Sequence, residues 1–130
     1  MDSYKTLLEI KIREIVSELK TESGDIVVTL PASKDWSEYQ KELELVKDGS
    51  NVMNFKVPSF PKRTKVGDKC YLCYRGYVIG WMKIVGMEEK EFTCSTTGNK
   101  LKGKFIMRSG KFNKIEPIQM KGFQGFKYFN

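Results

Sequence analysis

The sequence predicts one α+β domain spanning residues 1–130, with helices near 4–20 and 36–47 and six or seven strands, mainly over 26–30 and 52–129. Three observations carry that expectation. A chain of 130 residues can bury one hydrophobic core and is short for two. Apolar residues recur at helical spacing only before residue 50. After it, aromatic and β-branched residues gather in short alternating runs, and 13 of the 16 aromatics fall there.

In chain order, Leu8, Ile12, Ile15, Val16 and Leu19 recur every three or four residues with charges between them, which predicts an amphipathic helix closed by Gly24. Residues 26–30 are β-rich and end at Pro31, hence a strand. Asp35 precedes Glu38 by three, the spacing of a capping box, and Trp36, Tyr39, Leu43 and Val46 line one side of a second helix that ends near Asp48-Gly49. Residues 52–57 alternate as a strand. Pro58 and Pro61 then force an extended connector carrying Lys62, Arg63 and Lys65.

The chain is organised around residues 66–86, where two runs of aromatic and β-branched residues flank Arg75-Gly76. Gly76 supplies the positive φ of a tight turn, so this is a β-hairpin. With a two-residue loop and regular pairing, Tyr74 faces Tyr77, Leu72 faces Ile79, Tyr71 faces Gly80 and Cys70 faces Trp81. Trp81 then shares a face with Leu72 and Tyr74, and neither face is polar, so both need covering. Beyond it, Glu88-Glu89-Lys90-Glu91 forms an acidic turn, residues 92–96 a strand, and Thr97-Gly98-Asn99 a turn. Lys100, Lys102, Lys104 and Arg108 sit at even spacing on the next strand, which Ser109-Gly110 breaks. The apolar tail, with Phe123, Phe126, Tyr128 and Phe129, is a closing strand.

The Gly67-Asp68 turn leading into Cys70-Tyr71-Leu72-Cys73, followed by Tyr77-Val78-Ile79-Gly80 and Val85-Gly86, resembles the small barrels of the PUA-like superfamily, which includes PUA, ASCH and EVE domains. The resemblance covers residues 64–88, and the remainder by element order. It implies a closed or nearly closed, mixed and mostly antiparallel β-barrel with two flanking helices, used mostly to bind RNA, DNA or a modified base. The ASCH-type Gly-x-Lys-x-x-Glu-x-Arg signature is absent here, so no active-site residues carry over.

Composition narrows the chemistry. With no histidine, imidazole acid-base catalysis, His triads and His metal ligands are excluded. Cys70 and Cys73 have the spacing of half a zinc site, but an odd offset within a strand sends the two sulfurs to opposite faces, and Cys94 has no nearby partner. All three read as structural thiols, an odd number that suits a reducing compartment, the cytoplasm. No apolar run approaches the ~20 residues of a membrane-spanning helix. No cofactor, metal or catalytic residue is implied. Asp68 with Glu88-x-Lys90 superficially matches a Mg²⁺-dependent nuclease, a short and common pattern whose residues are usually just solvated.

Charge points to a partner. Residues 1–50 hold 7 Lys/Arg against 11 Asp/Glu, whereas residues 51–130 hold 16 against 5. Cations interleaved with aromatics suit a nucleic-acid surface, since cations neutralise phosphates and rings stack on unpaired bases. The expected interface is Lys100, Lys102, Lys104 and Arg108, helped by Ser109, Lys111, Lys121 and Lys127. Arg108-Ser109-Gly110 could cradle a phosphate, Gln124 could read a base edge, and Tyr74, Trp81 and Tyr128 could stack. Lysines guarding an edge strand, and aromatics filling a core, are the competing uses. The function expected is a non-enzymatic module binding RNA or single-stranded DNA. The alternative is a protein-interaction domain that docks or self-associates through its N-terminal helix.

Overall fold

The computed structural model describes residues 23–93 and 98–129. In order these form β1 (Ile26–Thr29), α1 (Trp36–Val46), β2 (Met53–Val57), β3 (Lys69–Tyr74), β4 (Tyr77–Thr93), β5 (Lys100–Gln119) and β6 (Phe126–Tyr128). The helix expected near 4–20, and Cys94, lie outside the described residues. Among the described residues, no helix is long and apolar enough to cross a membrane.

The central hairpin forms as its turn chemistry requires. Arg75 and Gly76 take φ of 48° and 88°, the paired positive values whose twist matches the flanking strands. The guanidinium of Arg75 donates to the Ala32 carbonyl from Nε (3.3 Å) and Nη2 (3.1 Å), which ties the turn to the loop after β1. Tyr74 faces Tyr77 as expected. The register then slips, because Cys73 pairs with Val78 but Leu72 with Gly80, leaving Ile79 as a bulge. Tyr71 therefore faces Trp81, and Cys70 faces Met82. This single extra residue overturns the regular pairing and puts Trp81 on the opposite side of the hairpin from Leu72 and Tyr74.

Two expected breaks are not breaks. Residues 88–91 are the continuation of β4, where Glu89 faces Lys104 and Glu91 faces Lys102 across the ladder to β5. Opposite charges directly across an antiparallel pair favour strand where composition alone suggested a turn. Ser109-Gly110 likewise lies inside β5. Gly110 takes φ of 88° and the β4–β5 ladder is irregular beside it, so the strand is redirected rather than ended.

The barrel expectation is corrected. The six strands form one open, mixed sheet in the order β2-β5-β4-β3-β1-β6, with β1 and β3 parallel and the other pairs antiparallel. The sheet curls so far that the edges approach, and a Cβ on Gly125 would lie 3.8 Å from Cδ of Pro58. Among the described residues no ladder joins them. Pro58 ends β2 without an N–H to donate, and β6 is three residues long, too little to seal a seam.

One face of the curled sheet holds the main core: Ile26, Val28, Leu72, Met82, Ile84 and Ile106, closed by α1 through Tyr39 and Val46. A smaller cluster of Val27, Cys73 and Val78 lies on the other face under Ile115, Met120, Phe123 and Phe129. Cys70 and Cys73 are free thiols, one in each cluster.

Candidate functional site

Helix α1 lies across the inner face of the sheet on a group of rings. Trp36 and Tyr39 each sit 5.5 Å, centroid to centroid, from Tyr74. Asp35 precedes the helix in extended conformation, yet its side chain caps no backbone N–H and accepts from the Ser37 hydroxyl instead. The loop before α1 is fixed by two phenols: Tyr39 donates to the Pro31 carbonyl (3.1 Å) and Tyr74 to the Lys34 carbonyl (2.7 Å).

Between α1, this loop and β2 opens a cavity of about 650 Å³. Its apolar walls come from Leu45, Val46, Phe55 and Leu101, its rim carries Lys34 paired with Glu42, and Arg108 lies in its lining. Arg108 is 2 % exposed. Its parity with Ile106 on β5 turns it toward the core face, where Phe55 lies beneath the guanidinium at 5.7 Å and Ile84 faces it from β4. Among the described residues, Nε and Nη1 of Arg108 are buried with no hydrogen-bond partner, as is Oδ1 of Asn54, whose residue lines the same cavity. Among the described residues this guanidinium has no counter-charge, and burying one so costs several kcal/mol, on the order of the desolvation penalty for one ion.

Burial also sets the neighbouring titrations. The Cys70 thiol is pushed up by burial, opposed in part by the charge and hydrogen bonding of the Arg108 guanidinium. The Tyr39 phenol is raised to about 12, chiefly by burial and then by the Glu42 carboxylate. Neither group is ionised near neutral pH.

No family model, curated protein or solved structure matches this chain. The site therefore rests on its own geometry.

The residues expected to form one interface are spread over the molecule. Lys100 and Lys102 are exposed near the far end of the β4–β5 ladder, and Lys104 passes over the Phe60 ring at 5.8 Å. Glu91 and Glu89 face Lys102 and Lys104 across the ladder. Lys111 lines a separate cavity of about 260 Å³ beside Trp36 and Phe112. Lys121 and Gln124 are exposed before β6, and Lys127 lies over Phe123 at 4.7 Å. Ser109 is buried and donates to the Asn51 carbonyl (2.6 Å), so its hydroxyl braces the approach to β2.

Of the stacking candidates, Tyr74 is core, Trp81 is half-buried under the Lys69 ammonium at 4.7 Å, and Tyr128 is half-buried with the Arg63 guanidinium 3.8 Å above its ring. The tyrosine hydroxyl of Tyr128 also accepts from the Arg63 amide (3.0 Å). Asp68, the carboxylate of the nuclease pattern, accepts from the Lys65 amide (2.9 Å) and thereby closes the turn before β3. Ile84 donates to the Asp68 carbonyl, and Glu88 lies four residues further along β4, roughly 13 Å at about 3.3 Å per residue. Among the described residues, no three Cys, Asp or Glu side chains group as a metal site.

Asn54 and Tyr39 were not expected at a site. The signal for Arg108's inward position was present in the sequence: it shares parity with Ile106, and a cation at a core position of a strand is the exception to explain.

Proposed function

We propose that this domain is a binding module that takes a carboxylate or phosphate group into the cavity between α1 and β2, with Arg108 as its counter-charge. The observation that carries this reading is the guanidinium itself, 2 % exposed, with two nitrogens unpartnered among the described residues, in the lining of a cavity large enough for a ligand of drug size. Charge-assisted hydrogen bonds from a desolvated arginine to an anion are among the strong ones, and the anion would offset a penalty the free protein already carries. The reading is non-enzymatic: the cavity supplies charge and apolar walls, and its phenol and thiol neighbours stay protonated. Free thiols at Cys70 and Cys73 fit a reducing compartment, the cytoplasm.

Thermal denaturation with a panel of organic carboxylates and phosphates tests it. A ligand at a hundred times its Kd adds about 2.7 kcal/mol to the folded state, enough to move the midpoint by several degrees. Arg108→Met should abolish that shift. A wild-type midpoint that no member of the panel moves would refute the site.

Nucleic acid is the second reading, favoured by the formal net charge of +7 and by Lys102 and Lys104 sharing one side of β5. Glu89 and Glu91 opposite the two lysines weaken it. Single-stranded oligonucleotides should then bind with affinity that falls with salt by about 0.7 log units per decade for each phosphate contacted. Affinity unchanged between low and high salt would exclude backbone recognition.

A further inference from the structure

The cavity's shape carries the reading one step further, to the class of ligand. Its lining includes Asn51, Val52, Met53, Asn54, Phe55 and Lys56 without interruption. Side chains of successive strand residues point to opposite faces. A cavity lying over one face of β2 would touch every second residue. Contact with residues of both parities from Met53 to Lys56 is what a cavity reaching the edge of the strand would show.

That edge is open. β2 is the first strand of the sheet, pairs with β5 alone among the described residues, and so presents backbone N–H and C=O groups along its other side. Leu45, Val52 and Leu101, all in the lining, are large apolar side chains left exposed. Oδ1 of Asn54 adds a buried acceptor lacking a donor. Backbone groups awaiting a ladder, with apolar walls on either side, form the receiving half of strand addition. Arg108 faces Met53, inside the run 51–56 and not beyond it. A chain laid along the groove would therefore pass the guanidinium with residues on both sides, which calls for an acidic side chain within the segment.

We infer that the occupant is an extended peptide segment that adds as a strand to β2 and places an internal Asp or Glu against Arg108. This rests on the anion-site reading and specifies its ligand. The charge complement is local and general: a buried cation with two nitrogens unpartnered among the described residues, in a protein of net charge +7.

The test uses the full chain labelled with ¹⁵N and a synthetic heptapeptide, Thr-Val-Thr-Glu-Thr-Val-Thr, whose valines and glutamate share one face. Its controls are the Glu→Gln peptide, the peptide N-methylated at alternate amides, and acetate and inorganic phosphate alone. The expected result is a change in the amide resonances of residues 52–56 together with Nε–H of Arg108, and dissociation constants raised about tenfold or more by either peptide change, each tenfold being about 1.4 kcal/mol. If acetate or phosphate moves Nε–H of Arg108 while the peptide leaves the β2 amides unmoved, strand addition is refuted and the anion site stands. If the N-methylated peptide binds as well as its parent, strand addition is likewise refuted. If nothing moves Nε–H of Arg108, both readings fall.

Discussion

Arg108 sets a direction for stability that ordinary core residues do not. Truncating a buried apolar side chain destabilises, whereas replacing an uncompensated buried cation by an apolar residue of similar length removes a desolvation cost. Arg108→Met should therefore stabilise the ligand-free protein by about 1 kcal/mol or more, seen as a higher thermal midpoint, while removing anion binding. A lower midpoint in thermal denaturation would mean that the guanidinium supports the fold through Phe55 and Cys70 and is not held in reserve for a ligand. Thr64 is the opposite case. It is buried, and its hydroxyl donates to the Gly24 carbonyl at 2.6 Å across 40 residues of chain. Thr64→Val keeps the shape and strands that carbonyl, so chemical denaturation should show a loss of about 1–3 kcal/mol.

At the scale of elements, the close approach of β4 to β5 is the point most open to test. Gly80 faces Leu72 on one side and Lys114 on the other, and a Cβ there would meet the Phe112 ring and lie 2.5 Å from the Asn113 carbonyl oxygen. A ring can shift, but a ladder carbonyl cannot do so cheaply. Gly80→Ala should cost about 1–3 kcal/mol, read as a lower urea midpoint with an unchanged slope. The existence of α1 and of the 69–84 hairpin was legible because apolar spacing and the Arg75-Gly76 turn are local signals. Opposite orientations for Cys70 and Cys73 were legible for the same reason. The bulge at Ile79 was not, since one extra residue leaves composition unchanged and yet reverses the side on which Trp81 lies. Nor was the length of β4 and β5: Glu88–Glu91 and Ser109-Gly110 read as breaks until cross-strand neighbours, known only from the fold, supply the opposing charges and the bend. Arg108 was singled out in the sequence for an exposed basic face, but it is buried, and that burial depends on Phe55 and α1, which the sequence places far away.

Across the whole molecule, the open sheet and its inner core decide how the protein meets alkaline solution. A closed barrel would have no free strand edge; among the described residues β2 keeps one, and the curled sheet needs α1 and its ring cluster to cover the inner face. Besides Arg108, the ionisable groups buried on the two faces of the sheet are neutral acids. Burial raises the Tyr39 phenol from 10.0 to about 12 and also raises Cys70, Cys73 and Tyr71. In each case the folded state keeps a proton that the unfolded chain gives up at its ordinary value, near 8.5 for a thiol and near 10 for a phenol. Above those values the folded state binds more protons than the unfolded one, so stability falls as pH rises. The contribution is complete below about pH 8, begins to drain as the thiols of the unfolded chain ionise, and continues to drain through 10 to 12 as the phenols follow. Urea midpoints measured from pH 6 to 11 should be flat to about 8 and then decline. Tyr39→Phe, which removes the phenol along with its bond to Pro31, should start lower but decline less steeply above pH 10. Equal slopes for the two proteins there would show that Tyr39 ionises in the folded state as freely as in the unfolded one, and that the cover α1 provides over the inner face is looser than its packing on Tyr74 implies.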